Sequence, residues 1–372
     1  MILRIEDLKD VCGKILSAVD SSELSLLTET LELRTESNTL YMSVTNREYY
    51  VQVKLDLGEE VDFHATVNAN LFLKLISQTT TETVEITVDG TTLVVKGNGT
   101  YKLPLIFDDD KLLELPKIEI SNVTSQFDIE GDILVSILNY NSKEIAKGSI
   151  VRPVQKLYYV DEEGAITFTT GACVNNFKLK EPIKILLNQK VVKLFKLFKN
   201  DNVHFTLGMD SISDEIIQTK VRFENDVVSI TAILPSDDSL LASVPVSAIR
   251  SRTSTVYPYS ININKDEFIQ AINRLLLFTN SKDFVKTFGN FEYHEGFMIL
   301  KDSNNINSEK LYYSEPLESC DYKNSIDLLD LKSTLESCPE KYLTMNFGDE
   351  QAVVIARGNV YNVVPEVVDV GI

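Results

Sequence analysis

Histidine is the side chain best suited to proton transfer and metal ligation near neutral pH, and the chain has three, His64, His204 and His294. They lie far apart in strand-like segments, with neither the HExxH of a zinc helix nor a GxSxG elbow around them. Structural roles are expected for all three. Gly97-Asn98-Gly99 is a lone GxG without the third glycine and helix of a dinucleotide site, and it reads as a tight turn. Asp108-Asp109-Asp110 and Asp237-Asp238 could hold a hard cation in principle, but they lack EF-hand spacing and read as solvated loops. Cys12, Cys173, Cys320 and Cys338 form no CxxC pair, so neither a disulfide framework nor a zinc site is indicated, and buried thiols in a reducing cytosol are expected. No catalytic group, metal or cofactor emerges from these residues. A carboxylate pair of the glycosidase kind needs no motif, which keeps an enzyme open as an alternative, although the chain has no tryptophan for sugar stacking.

The informative pattern is the placement of charge. The chain carries a formal net charge of -19, which argues against whole-surface attraction to nucleic acid. Six segments with helical patterning, residues 5–19, 68–79, 131–148, 188–200, 264–280 and 327–338, hold 12 Lys and Arg against 10 Asp and Glu, while the remainder holds 24 against 45. The segment 188–200 contributes Lys190, Lys193, Lys196 and Lys199 and no acid. Its Val191, Leu194, Phe195 and Phe198 recur at three- and four-residue spacing, which turns them toward a core and leaves the lysines outside. Such a face is usually just solvated. The acidity elsewhere favours phosphate binding here, with Lys74, Lys143, Lys147 and Arg274 as candidates from the other helical segments.

These helices belong to an order of elements that recurs three times. A short strand running into an amphipathic helix opens each round, as LRIEDLKDVCGKIL, FDIEGDILVSILNY and ININKDEFIQAINRLLLF, and Ile5, Ile129 and Ile263 align at spacings of 124 and 134. Alternating strands with Asn, Gly and Asp turns follow. A second helix comes next, with Asn68, Asn188 and Asp327 as N-cap candidates, and further strands close the round. Asp89-Gly90 marks one hairpin among them. The reading is α+β, with domains at 1–120, 121–254 and 255–372, each of two helices packed on antiparallel sheets.

In this order of elements, in NANLFLKLI before TVDGTTLVVKGNGTYKLPL, in ITFTTG and in YNVVPEV near the end, the whole chain resembles the bacterial DNA polymerase III beta subunit, the DNA sliding clamp. The resemblance implies a head-to-tail homodimeric ring with helices lining the hole, encircling double-stranded DNA without sequence preference, and non-catalytic. It implies a pocket that takes short peptides from DNA polymerase and clamp loader, at Thr169, Gly171, Val174, Asn324, Val353, Val363, Val364 and Pro365. It also places Phe107 opposite Leu277 and Phe278 across the dimer two-fold. Ala172-Cys173 stands where many members have His-Arg, and the chain ends EVVDVGI, so the preferred peptide is expected to differ.

A sliding ring must hold phosphate without reading bases, and flexible lysines suit that better than bidentate arginine. The start, MILRIEDLKD, lacks signal-peptide layout, and no run approaches the length of a membrane span; a cytoplasmic protein is expected. An acidic, β-rich repeat protein that assembles into a virion or surface structure is the other alternative.

Overall fold

The computed structural model describes residues 1–20, 25–146, 151–213, 216–235, 237–278, 287–313, 317, 320–349 and 351–367. The chain forms two compact units, one of residues 1–135 with 190–236 and one of residues 136–189 with 237–372.

In the first unit, helix Ile5–Leu16 buries Ile5, Leu8, Val11, Cys12 and Ile15. The three- and four-residue spacing of these side chains makes one apolar stripe. Helix Ala69–Gln78 does the same with Ala69, Phe72, Leu73 and Ile76, and it starts where the Asn68 side chain accepts from the Leu71 N–H. An antiparallel sheet of Ile2–Arg4, Thr83–Asp89, Thr92–Lys96 and Thr100–Pro104 includes the expected hairpin, with Gly90 at φ +59° between paired Asp89 and Thr92. The larger sheet has eight strands in the order Val123–Glu130, Asn202–Ser213, Ile216–Glu224, Val228–Ile233, Tyr49–Asp56, Thr39–Thr45, Thr30–Glu36 and His64–Asn68. Its middle is the antiparallel pairing of Val228–Ile233 with Tyr49–Asp56, where Ile230 faces Val51 and Ala232 faces Tyr49.

The second unit repeats this plan. Its eight strands run Lys184–Asn188, Leu157–Asp161, Gly164–Phe168, Ala172–Asn176, Val360–Pro365, Ala352–Arg357, Tyr342–Phe347 and Tyr259–Asn264. A four-stranded sheet has the order Ser308–Tyr312, Phe297–Asp302, Phe288–His294, Lys323–Asp327. Helix Lys265–Leu276 buries Phe268, Ala271, Ile272 and Leu275, and helix Leu328–Ser337 begins where Asp327 accepts from the Leu329 and Asp330 N–H groups. Each eight-stranded sheet thus joins strands from two successive thirds of the sequence.

Several local expectations are modified. The helix expected over 131–148 is an α-helix only at Gly131–Ser136, widens to a π-turn at Ile137–Asn141 and ends as the 3-10 turn Ser142–Glu144. The widening accompanies complete burial of Asn141, whose Nδ2 donates to the carbonyls of Ala165 and Cys173 at 3.3 Å. Val246–Ser254 is a helix that ends at the expected domain boundary of 254/255, and Asp238–Ala242 is a helix where Asp237-Asp238 read as a solvated loop. The Asp108–Asp110 run sits at the turn of a two-stranded hairpin, with Asp109 at φ +54°. Asp237 caps the helix that follows it.

Candidate functional site

The lysine segment begins as the short helix Gln189–Val192 and tightens to the 3-10 helix Lys193–Phe198. In a 3-10 helix residues three apart eclipse one another, so Lys193 and Lys196, continued by Lys199 at the C-cap, form one row. All three are exposed, while Val191, Val192, Leu194, Phe195 and Phe198 are buried. Phe195 meets the edge of Phe223 at 4.9 Å and Phe223 meets Phe205 at 5.4 Å, which fixes the apolar side and hence the direction of the lysines. At the end of the helix Phe198 runs so close to Gly131 that a Cβ there would lie 1.8 Å from the Phe198 carbonyl oxygen. Among the described residues no carboxylate lies within ion-pair distance of Lys193, Lys196 or Lys199.

Lys190 behaves differently. Its Nζ is 2.9 Å from Asp20 and 3.7 Å from Glu48, and it is half-buried. Arg274 is exposed but forked on Glu309, with bonds of 2.7 and 2.8 Å, so its charge is largely neutralised in place. Lys74, on helix Ala69–Gln78, and Lys143, in the turn Ser142–Glu144, are exposed. Lys147 lies outside the described residues.

In the second unit, Thr169 and Gly171 occupy the turn between strands Gly164–Phe168 and Ala172–Asn176, beside Val360–Pro365. Gly171 approaches so closely that a Cβ would stand 2.6 Å from the Val363 carbonyl oxygen, which explains a glycine at this point. Thr169, Gly171 and Val364 line a small cleft of about 60 Å³ together with Lys143, Glu144 and Asp330. Val174 and Val353 are fully buried within the sheet. Val363 and Pro365 are half-buried, and Asn324 accepts from Tyr293 Oη at 3.1 Å and donates to Glu366 at 2.9 Å. The structure therefore gathers three of the eight expected residues around an opening and uses others as strand core or hydrogen-bond partners.

The helix Val246–Ser254 was not expected. Its Val246 and Ile249, with Leu240 and Leu241, pack on the cluster of Val154, Tyr159, Ile166 and Val174. Arg250 anchors it by two bonds to Asp161, at 2.8 and 2.6 Å, and a third to Glu163 at 2.7 Å. The signal in the sequence was faint, since only Val246 and Ile249 mark an apolar face.

Burial governs the titratable groups near this cleft. Desolvation pushes the Glu144 carboxyl above its ordinary range, against the pull of hydrogen bonds from Thr169 and Thr334, and nearby Asp330 adds to the rise. Burial also pushes the Cys173 thiol up to about 12, so it is inert as a nucleophile.

The histidines engage in local contacts. His64 lies 2.9 Å from Glu32 and His204 3.0 Å from Asp128, while His294 stacks on Phe297. Phe107, Leu277 and Phe278 are 37%, 80% and 62% exposed, so none of the three is used by the core.

No protein-family model and no curated protein sequence matches the chain. Solved structures do match. The architecture is the bacterial sliding-clamp fold, an α+β arrangement of repeated helices and antiparallel sheets. Among these structures, the DNA polymerase III subunit beta of Pseudomonas aeruginosa superposes with a TM-score of 0.80 at 14% identity, over 99% of both chains. The DNA polymerase sliding clamp of Bacillus subtilis gives 0.74 at 15% identity over 99% of this chain and 98% of that one. A putative DNA polymerase III beta subunit from Eubacterium rectale gives 0.75 at 14% identity over 98% of each chain.

Proposed function

We propose that the chain is a DNA sliding clamp, a non-catalytic ring that encircles duplex DNA and tethers a DNA polymerase to it. The observation that carries this reading is the row of exposed Lys193, Lys196 and Lys199, with no carboxylate within ion-pair distance among the described residues, in a chain of net charge -19 that has the clamp fold from end to end. Local lysines attract phosphate to one surface, and the acidic residues elsewhere repel DNA from the rest. Lys74 and Lys143, both exposed, are further candidates for phosphate contact, whereas Lys190 and Arg274 are engaged by carboxylate partners.

The protomer comprises three domains, 1–120, 121–254 and 255–372, and two protomers close head to tail through Phe107 of one and Leu277 and Phe278 of the other. A two-fold uses that contact twice. The cleft at Thr169, Gly171 and Val364 takes a peptide from the polymerase or the clamp loader in the cytoplasm. Among the described residues no helix is long and apolar enough to cross a membrane.

The test is topological. Protein loaded on nicked circular DNA is expected to remain bound through a salt wash and to be lost when the circle is cut. Equal loss from circular and linear DNA would defeat the proposal.

A further inference from the structure

The two units contain the same junction. In the first, Tyr49–Asp56 pairs with Val228–Ile233, Tyr49 facing Ala232; in the second, Ala172–Asn176 pairs with Val360–Pro365, Ala172 facing Val363. The turn at residues 46–48 therefore corresponds to the turn at 169–171, and Ile233 corresponds to Val364. Their surroundings differ. In the second unit, helix Val246–Ser254 packs its apolar side against this region, and about 60 Å³ of cleft remains beside Val364. In the first unit the corresponding place is open, with a hollow of about 290 Å³ whose apolar walls are Leu27, Pro116, Ile118 and Ile233.

Two further features of this hollow point to its ligand. Among the described residues, the charged ones of its lining are Arg47 and Lys117, both exposed, and no carboxylate lines it. Arg47 has no ion-pair partner among the described residues, and Lys117 has Glu36 at 3.9 Å. The wall at Lys117 and Ile118 is a segment outside any helix or sheet. Among the described residues no hydrogen bond reaches the main-chain N–H or C=O of either residue.

We propose that this hollow in the first unit is a docking site for an extended, acidic-apolar peptide segment of a partner protein, separate from the cleft in the second unit. Unpaired main-chain groups beside an apolar hollow accept a peptide as an added strand. Alternate side chains of such a strand point the same way, so two apolar residues two apart enter the hollow between Leu27, Ile118 and Ile233. Carboxylates two residues before and after them, on the same face, meet Arg47 and Lys117. In a chain of net charge -19, two exposed cations lining one apolar hollow select an acidic segment by charge complementarity. The proposal rests on the hollow and the repeat of the sheet, and it stands whether or not the second unit holds a peptide.

The probe is a fluorescent peptide with the core Asp-Thr-Leu-Val-Leu-Thr-Asp, titrated into full-length protein carrying isoleucine methyl labels. Binding is expected to shift the methyl resonances of Ile118 and Ile233 and to leave that of Ile249, in the second unit, unmoved. The double change Arg47→Glu and Lys117→Glu, both at exposed positions, is expected to weaken the peptide by about tenfold or more, as reversal of two rim charges should. The peptide Lys-Thr-Leu-Val-Leu-Thr-Lys is expected to bind the parent poorly and the double variant better. No shift at millimolar peptide, a shift at Ile249 instead, or affinity indifferent to both charge reversals would each overturn the proposal.

Discussion

Lys190 Nζ lies 2.9 Å from Asp20 Oδ2, whereas Lys193, three residues further on, points into solvent. Adjacent members of one lysine series thus have different work. Asp20 is also held by Asn46 Nδ2 at 3.0 Å, so Lys190 completes a polar anchor between the lysine segment and residues near the first helix.

On the proposed function, this difference separates stability from DNA retention. Changing Lys193, Lys196 and Lys199 to Ser is expected to alter stability by no more than about 0.5 kcal/mol, to shorten the lifetime on circular DNA and to flatten its salt dependence. Lys190→Ser is expected to cost about 1 kcal/mol, since the pair is partly screened by solvent, with a smaller effect on the salt slope. Urea titration and wash-off kinetics measure the two effects. A triple variant with an unchanged salt slope would mean the row is only solvated surface.

Leu277 and Phe278 cap helix Lys265–Leu276 on its exposed side, at 80% and 62% exposure. Leu277→Lys with Phe278→Lys is expected to keep stability within about 0.5 kcal/mol of the parent and to give monomer by light scattering. A folded variant that stays dimeric would remove both residues from the interface.

Gly131 is expected to tolerate no side chain. An added methyl would meet the Phe198 carbonyl oxygen at 1.8 Å and the carbonyl carbon at 2.8 Å, both of them backbone. Relief requires moving the strand end or the lysine helix. Gly131→Ala should therefore lose about 3 kcal/mol or more in chemical denaturation, and near-parent stability would show that the approach relaxes freely.

Glu144 gives a pH dependence. Its folded-state pKa is raised, mainly by burial, so the folded state binds a proton more readily than the unfolded chain. The resulting stability is fully present below the ordinary value of 4.5 and is lost as pH rises through the raised folded value. Glu144→Gln removes the buried charge and is expected to raise Tm at pH 7 by about 2–4 °C, with less decline between acidic and neutral pH. A lower Tm at pH 7 would mean that the bonds to Thr169 and Thr334 need the carboxylate.

Much of the local structure was legible in the residues. Ile5, Leu8, Val11, Cys12 and Ile15 specify a buried helix face through their spacing alone, and Asn68 and Asp327 have the short side chains that bond the first free N–H groups of their helices. Asp89-Gly90 specifies its turn because glycine reaches positive φ without strain. These effects act within a few residues. The same holds for the apolar side of the lysine segment, since Leu194, Phe195 and Phe198 are buried as their spacing requires.

Tertiary structure decided what depends on partners distant in sequence. The pairing of Ile230 with Val51 joins residues of different thirds in one sheet, and no local pattern records which strand a half-buried strand will meet. Lys190 and Lys193 look alike in sequence; their roles separate because Asp20 and Glu48 come beside one of them. Packing of Phe195 on Phe223 accompanies the tightening of the segment into a 3-10 helix that lines up Lys193 and Lys196. The expected peptide residues likewise divided by depth, with Val174 and Val353 entering the core while Thr169, Gly171 and Val364 border the opening. Sequence by itself determined which side chains of the amphipathic helices turn inward and where helices Ala69–Gln78 and Leu328–Ser337 start, because those follow from local backbone geometry and apolar spacing. The fold decided which lysines remain free and which clefts stay open, because ion pairing and packing are settled by neighbours that only the folded chain brings together.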